Sequence, residues 1–297
     1  MSMKTIQLIL SAALMATAAV ALAETYMPVD FPGAIATDAS GINASGEIVG
    51  TYNDASNVAH GFRLEHGTFI AIDYPGALNT TALSINSRGD VAGFFLDSAN
   101  DWHGFVLSDG TYFVQDYPGA TTGTFTLGIG ANGTLAGEFK LGQAFGQLGF
   151  AWIMRHGQYT QLIPPGSAFA FATSVNSRSD VVGRLIDTSG GQAAWELDKD
   201  GAYHVFRYPG ATLTNARNVN NKGEVVGVYR TDVNHGFVLA ANDFSNFVTI
   251  DFPGAVATRA LGINSCGDIV GTYGSSAAGT GHGFLLVRDD AQCDDAE

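Results

Sequence analysis

The sequence predicts an all-β fold, a six-bladed β-propeller with four-stranded blades. Three observations lead to it: a motif that returns at a fixed period, four strand patterns within each period, and a repeat split between the two chain ends. The returning motif is Pro-Gly followed by a small residue. The prolines that directly precede its glycine are Pro32, Pro75, Pro118, Pro165, Pro209 and Pro253. Their spacings are 43, 43, 47, 44 and 44 residues, a period typical of propellers and other repeat proteins.

The first 23 residues are expected to be a secretory signal peptide and not part of the fold. Lys4 supplies a positive start, an apolar run covers residues 6–22, and Ala21-Leu22-Ala23 has the small residues of a cleavage site. A membrane anchor is the alternative, but the run is short for a bilayer span. We therefore expect cleavage near Ala23 and an exported protein, either extracellular or periplasmic.

The composition of the remaining chain favours one β-propeller domain, residues 24–288, followed by an acidic tail, residues 289–297. The sequence has 38 glycines but only 14% charged residues, which suits short strands joined by tight turns. Its 14 basic and 28 acidic residues give a net charge of −14, which argues against nucleic acids and anionic membranes as partners. No later stretch is apolar enough to span a bilayer, and we expect a soluble monomer.

The repeat at residues 73–115 contains the four strands of one blade. Tyr74-Pro75-Gly76-Ala77 fits a type II turn, because proline fixes φ at the second position and glycine accepts a positive φ at the third. Alternating segments between turn residues predict strands at 81–86, 90–95, 102–107 and 111–115. No segment has a helical period over three turns. The alternative, a parallel β-solenoid, lacks hairpin turns inside its repeat.

The two chain ends together supply one blade. Residues 25–30 match a fourth strand, whereas residues 282–287 match a third strand, so the last repeat lacks its outer strand. Pairing the two segments closes the ring and removes edges that would otherwise template aggregation.

The segments Gly41-Ile42-Asn43, Gly46, Ile48-Val49-Gly50 and His60-Gly61-Phe62 return in related form along the chain. At these residues the repeat resembles the extracellular HAF repeat family, in which His-Ala-Phe follows a Gly-Ile-Asn…Gly-x-Val-Val-Gly pattern. This sequence has glycine where the family has alanine. The resemblance covers nearly the whole chain after residue 23. It implies a repeat architecture and export, and it carries over no catalytic residues.

Four histidines of the His-Gly-Phe segments are candidate metal ligands: His60, His103, His235 and His282. Equivalent third-strand positions in a six-fold ring lie roughly 10 Å or more apart, whereas zinc binds nitrogen at about 2 Å. We therefore expect no metal site and no cofactor. We predict that each histidine makes a hydrogen bond within its own blade, to a backbone carbonyl or a neighbouring asparagine.

The two cysteines, Cys266 and Cys293, are predicted to form a disulfide. Cys266 lies in the first-to-second-strand turn of the last repeat, and Cys293 follows the end of the third strand near Val287 on the same face. Disulfides persist in exported proteins, and this one would tie the acidic tail to the last blade.

One face of the predicted propeller is more variable than the other. It carries the Pro-Gly turns and the polar loops 54–59, 97–101, 140–147, 187–191, 230–234 and 274–281. The other face carries recurrent Asn-x-x-Gly turns. Variable loops on a fixed scaffold are typical of a surface that presents a ligand site, although unconstrained loops also drift in sequence without any function.

The candidate ligand site is the channel mouth on the variable face. The residues that precede the recurrent alanine of the first strand should ring it, and they differ in type: Asp38, Thr81, Phe171, Asn215 and Arg259. By strand alternation Arg217 points the same way as Asn215. We expect Arg259 and Arg217 to donate to an anion or a hydroxyl, Asp38 to accept a hydrogen bond, and Phe171 to stack against the ligand.

The leading functional hypothesis is a non-enzymatic module that binds a glycan or an extracellular protein through this face. The sequence has no His-Glu-x-x-His, Gly-x-Ser-x-Gly, P-loop or Cys-x-x-Cys motif. The alternative is an extracellular carbohydrate-active hydrolase or lyase, which needs a second carboxylate about 5 to 10 Å from Asp38. The aligned rim positions contain only that one acid, so catalysis ranks second, and a purely structural surface repeat ranks third.

Overall fold

The computed structural model describes residues 24–141, 149–277 and 281–288, and within these ranges every regular element is a β-strand. No helix that could cross a membrane is found among these residues. The strands are β1 (Thr25–Val29), β2 (Ala36–Ile42), β3 (Ile48–Asn53), β4 (Ala59–Glu65), β5 (Thr68–Ile72), β6 (Asn79–Ile85), β7 (Val91–Leu96), β8 (Trp102–Ser108), β9 (Thr111–Gln115), β10 (Gly123–Ile129), β11 (Leu135–Lys140), β12 (Phe150–Arg155), β13 (Gln158–Leu162), β14 (Ser167–Val175), β15 (Val181–Asp187), β16 (Gln192–Leu197), β17 (Tyr203–Phe206), β18 (Leu213–Val219), β19 (Val225–Arg230), β20 (Asn234–Leu239), β21 (Val248–Ile250), β22 (Ala257–Ile263), β23 (Ile269–Gly274) and β24 (His282–Val287).

The strands group into four-stranded antiparallel units that follow one another along the chain. Units 1 to 5 contain β2–β5, β6–β9, β10–β13, β14–β17 and β18–β21, and unit 6 contains β22–β24 with β1 outside β24. The strands β1 and β24 pair as the sequence predicts, from Thr25 opposite Val287 to Val29 opposite Gly283. A single parallel pair, Gly123 with Trp102, joins units 2 and 3 into one eight-stranded sheet.

The strands predicted for the repeat at 73–115 are those of unit 2. The four strands β6 to β9 begin and end within two residues of the predicted bounds. The sequence pattern was sufficient here because each strand is bounded by turn residues on both sides.

The Pro-Gly motif forms the predicted turn and also anchors it to the next unit. Gly76 has φ +80°, and the Ala77 N–H donates to the Tyr74 carbonyl oxygen at 3.1 Å. The Tyr74 N–H donates to Thr80 Oγ1 at 3.0 Å, and the Tyr74 ring stacks on Phe95 with centroids 3.6 Å apart. The turn therefore fixes where the first strand of each unit begins.

The core contains one large, fully buried aromatic residue from the third strand of each unit: Phe62, Phe105, Trp152, Trp195, Phe237 and Phe284. Each of these rings lies against a glycine of the second strand. A Cβ on Gly271, for example, would lie 2.0 Å from the Arg259 carbonyl oxygen and 2.7 Å from the Phe284 ring. This glycine must therefore stay glycine, and the close contact holds the first and second strands at the register that builds the candidate site.

Several predicted features lie outside the described residues. These are the signal peptide, the acidic tail, Cys293 and parts of the loops 140–147 and 274–281. Cys266 is buried, with 7% of its surface exposed. The disulfide with Cys293 and the domain bounds stay predictions.

Candidate functional site

The first strand of each unit contains a β-bulge, and the six bulged residues line one small central cavity. The cavity has a volume of about 40 Å³. It is lined by Asn218 and by the six bulged residues, which are Ser40, Leu83, Leu127, Thr173, Arg217 and Leu261. A bulge re-aims the side chain of its extra residue, which is why one residue from each unit faces the same space. Arg217 is the single charged side chain among them.

A second layer lies two residues nearer the Pro-Gly turns, and we call it the mouth ring. It consists of six cross-strand pairs, each with one residue from the first strand and one from the second strand of a unit. The pairs are Asp38–Thr51, Thr81–Phe94, Phe125–Glu138, Phe171–Arg184, Asn215–Val228 and Arg259–Thr272.

Arg217 is the centre of the charges in and below the mouth ring. Burial lowers the pKa of Arg217 to about 9, and the positive charges of Arg259 and Arg184 act in the same direction. The carboxylates of Asp38 and Glu138 raise it and only partly offset these effects. These five residues, contributed by five different strands, therefore form one electrostatic cluster.

The two acids of the cluster are also poorly compensated. Burial raises the pKa of Asp38, and the charges of Arg259 and Arg217 lower it by less. Burial likewise raises the pKa of Glu138 against the opposing charges of Lys140, Arg184 and Arg217. The cluster thus brings opposite charges near one another without pairing them closely.

Hydrogen bonding is incomplete throughout the cluster. Among the described residues, no hydrogen bond or ion pair engages the guanidinium of Arg184, Arg217 or Arg259. Three buried oxygens of the mouth ring also have no partner there: Thr51 Oγ1, Glu138 Oε2 and Asn215 Oδ1. Together with the three guanidinium groups that lack a partner, these buried oxygens make the mouth ring the candidate ligand site.

The structure brings most of the sequence-predicted residues together here. Asp38, Arg217 and Arg259 belong to the charged cluster, and Asn215 lies in the mouth ring with its unpaired oxygen. Thr81 occupies the mouth ring opposite Phe94 and does not belong to the charged cluster. Simple strand alternation does not describe Arg217, which is the extra residue of a bulge between Ala216 and Asn218.

The role expected for Phe171 was wrong. Its side chain is only 5% exposed, and the Arg184 guanidinium carbon lies 4.1 Å from the centre of its ring. This cation–π contact covers the aromatic face. Phe171 therefore positions Arg184 and has no open face to stack against a ligand.

Glu138 and Arg184 were missed by the sequence analysis, because the rim positions that it aligned, with Asp38 as their one acid, come from the first strands alone. Both residues follow the recurrent glycine of the second strand, at a position that is as varied as the first-strand position: Thr51, Phe94, Glu138, Arg184, Val228 and Thr272. Variation directly after a recurrent Val-Gly or Ala-Gly pair was the signal that could have found them.

The four predicted histidines each make a hydrogen bond within their own unit, but the partner is an aspartate. The Nδ1 atoms of His60, His103, His235 and His282 lie 2.8, 2.9, 2.9 and 3.1 Å from carboxylate oxygens of Asp73, Asp116, Asp251 and Asp30. A carbonyl or an asparagine had been expected. Each aspartate begins a Pro-Gly motif, so the histidine ties the third strand to the turn that follows the fourth.

The opposite end of the units is held together by asparagine side chains. The Nδ2 groups of Asn43, Asn86, Asn176, Asn220 and Asn264 each donate to a backbone carbonyl of the following unit, at 2.9 to 3.4 Å. The last of these bonds runs from Asn264 in unit 6 to the carbonyl of Asn43 in unit 1. Unit 3 has Gly130 at this position and provides only the acceptor.

Solved structures with a similar fold share little sequence with this chain. A putative TolB from Agrobacterium tumefaciens aligns with a TM-score of 0.58 and 12% identity, covering 85% of this chain and 90% of that chain. AofleA from Arthrobotrys oligospora aligns with a TM-score of 0.52 and 14% identity, covering 84% and 83%. A mutant of the Aleuria aurantia lectin in complex with Fucα1-6GlcNAc aligns with a TM-score of 0.50 and 8% identity, covering 86% and 95%.

The sequence itself matches no protein-family model and no curated protein. The resemblance to the HAF repeat family therefore stays a prediction. Structural similarity at such low identity carries information about the fold and not about the ligand. The chain has an all-β architecture of the β-propeller type.

Proposed function

We propose that this protein is an exported, six-bladed β-propeller that binds a ligand without turning it over, at the mouth ring of its variable face. Each unit would be one blade, and β1 would close the ring as the outer strand of the last blade. The bond from Asn264 to Asn43 and the cavity shared by one residue from every unit support closure. The N-terminal sequence pattern supports export.

Deleting residues 24–32 tests ring closure. Without β1, the outer edge of β24 has no partner, and the buried side chain of Val29 is lost from the core. We expect the truncated protein to be unfolded or aggregated when purified, and a synthetic peptide of residues 24–32 to restore part of its ordered circular dichroism. A monomeric truncation with an unchanged unfolding temperature would refute closure by β1.

The binding proposal depends chiefly on one observation, the three guanidinium groups of the cluster that have no hydrogen-bond partner among the described residues. A site with guanidinium donors and oxygen acceptors that lack partners gains hydrogen bonds when a complementary ligand enters. The Aleuria aurantia lectin, which has a similar fold, was solved with a fucosylated sugar bound. A glycan, one of the two ligand classes expected from the sequence, is the first class of ligand to test here.

A glycan and small-ligand array with product analysis tests this proposal. We expect at least one hit that binds unchanged, and we expect Arg259→Ala to weaken it by about tenfold or more. Arg155→Ala is the matched control, because Arg155 is exposed on β12, outside the cluster. An array without any hit would remove the binding proposal, and hits that survive Arg259→Ala would move the site elsewhere.

The second candidate is a carbohydrate-active hydrolase or lyase, and the presence of Glu138 in the same cluster as Asp38 favours it. Burial raises the pKa of both Asp38 and Glu138, which favours the protonated form that a general acid needs. Product formation from any array hit, abolished by Glu138→Gln or Asp38→Asn without loss of binding, would establish this candidate in place of the first.

A further inference from the structure

We infer that the ligand of the mouth ring is a small polyhydroxylated carboxylic acid, of the kind represented by a uronic acid, with its carboxylate on Arg217. Arg184 and Arg259 would complete the anion site, and the acceptors of the ring would bind the hydroxyl groups. This inference rests on the proposed binding function and specifies the ligand class for the same site.

The charge balance of the site calls for an anion. Four cations, Arg184, Arg217, Arg259 and Lys140, face two carboxylates, Asp38 and Glu138, whereas the whole chain has a net charge of −14. The three arginines repel one another. Arg259 lowers the pKa of Arg184, and both of these arginines lower the pKa of Arg217. A carboxylate among them would relieve this repulsion and accept the planar, bidentate hydrogen bonds that arginine offers.

The same site disfavours a polyanion. Asp38 and Glu138 would repel additional negative charge, since like charges at short range cost free energy in a poorly solvated site. What these groups can do is accept hydrogen bonds. Together with the unpaired oxygens of Asn215 and Thr51, they require a ligand that carries several donors beside its single negative charge.

Aromatic side chains beside the acceptors fit the apolar face of a sugar ring. Phe94 and Trp102 are both partly exposed, and their ring centroids lie 5.4 Å apart in an edge-to-face contact. The ring of Trp102 also contacts Phe125, at 5.7 Å. Flat, partly exposed aromatic groups next to convergent polar groups are typical of small-molecule sites. Phe94 and Trp102 thus provide the stacking surface that Phe171 cannot.

The central cavity gives the ligand a direction. At about 40 Å³, the space beneath the mouth ring has room for only a few water molecules. Arg217 lies in that layer, below the pairs of the ring. A ligand that enters from the variable face therefore reaches Arg217 with its leading end, which must be the carboxylate, and leaves its hydroxyl groups at the level of the ring.

Matched sugar pairs test this inference on the protein lacking residues 1–23. Glucuronic acid and glucose, or galacturonic acid and galactose, differ only in a carboxylate that replaces a hydroxymethyl group. By isothermal titration calorimetry at low ionic strength, we expect the acid to bind at least about tenfold more tightly than its neutral partner. Arg217→Met should remove this preference, while Arg155→Met, the exposed control, should keep it.

The outcomes separate this inference from the proposed function. Equal binding of acid and neutral sugar, or full displacement of the acid by sulfate at equal concentration, would overturn the inference and leave ligand binding at the mouth ring intact. If no sugar acid binds while an array ligand still depends on Arg259, the inference fails alone. If the array also gives no hit, the proposed function fails with it. Should Arg217→Met not fold, as judged by its thermal unfolding, Arg259→Met provides the same comparison.

Discussion

The two ends of the central cavity differ in how far their polar side chains are hydrogen-bonded. One end carries the Asn-x-x-Gly turns, and we call it the turn end. There Asn264 donates to the Asn43 carbonyl and to Asp268, and its Oδ1 accepts the Asp268 N–H. At the mouth ring, the guanidinium of Arg217 has no hydrogen-bond partner among the described residues. The paired asparagine side chains at one end stabilise the contacts between units, whereas the guanidinium of Arg217 at the other end is available to a ligand. This difference is the reason why we propose the mouth ring, and not the asparagine end, as the ligand site.

Two arginines make the comparison direct. At the turn end, Arg178 donates from Nε and Nη2 to Asp180 Oδ2 at 3.0 and 2.6 Å, and the Asp180 residue is 3% exposed. At the mouth end, Arg217 faces two other arginines and two acids that it does not contact closely. The same residue type therefore neutralises a buried carboxylate in one place and remains a poorly compensated charge in the other.

The largest effect is expected from breaking the series of asparagine hydrogen bonds that links the units. Asn264→Ala removes three hydrogen bonds and leaves buried partners unpaired, so we expect the free energy of unfolding to fall by about 2 to 3 kcal/mol. The control is Asn132→Ala in unit 3, where an exposed side chain makes only a 3.5 Å contact with the next unit and a local bond to the Thr134 N–H. We expect a loss below about 1 kcal/mol there. Equal losses in the free energy of unfolding, measured by urea unfolding, would contradict a structural role for these asparagine hydrogen bonds.

A smaller effect, of opposite sign at the two ends, is expected from removing the arginine charges. Arg178→Met should lower the free energy of unfolding by about 1 to 2 kcal/mol, because it leaves the Asp180 carboxylate buried without its cation. Arg217→Met should leave it unchanged or raise it by up to about 1 kcal/mol, because it removes a poorly compensated charge. Urea unfolding in the absence of ligand measures both. A clear destabilisation by Arg217→Met would mean that Arg217 is a structural residue.

The smallest effect concerns Glu196, an acid near the turn end whose Oε2 has no partner. Burial raises its pKa to about 7, and the nearby Asp180 adds to this. The folded protein therefore holds a proton that the unfolded chain releases at its ordinary pKa of 4.5, so stability falls as pH rises from 4.5 to 7. We expect Glu196→Gln to stabilise the protein above pH 7 and to have no advantage near pH 4.5.

Glu47 provides the control of opposite sign. Burial raises its pKa, but hydrogen bonds from Arg63 and Asn43 outweigh burial and hold the pKa below its usual range. Its contribution to stability is present above the unfolded pKa and is lost as pH falls through the folded value. Glu47→Gln should therefore destabilise at neutral pH. Thermal unfolding between pH 4 and 8 distinguishes the two acids, and parallel pH profiles for both variants would contradict the assignment.

The sequence alone was enough for the local structure. The Pro-Gly motif determines a turn by itself, because proline restricts φ and glycine accepts the positive φ that Gly76 and its five equivalents adopt. The strands of unit 2 followed from alternation between turns, and the pairing of residues 25–29 with 283–287 followed from the split repeat. Each of these inferences uses residues that lie next to one another in the chain or repeat at a fixed period.

Only the tertiary structure decided which side chains meet and whether they are satisfied. Asn264 and Asn43 are 221 positions apart, and Glu138 and Arg184 come from second strands that a single-strand alignment does not compare. The sequence led us to expect that the Phe171 ring is open to a ligand, yet Arg184 from the neighbouring strand covers it. Charge compensation depends on distance and burial in three dimensions. A sequence can indicate that an arginine is present near the mouth, but only the fold shows that no acid among the described residues pairs with it there.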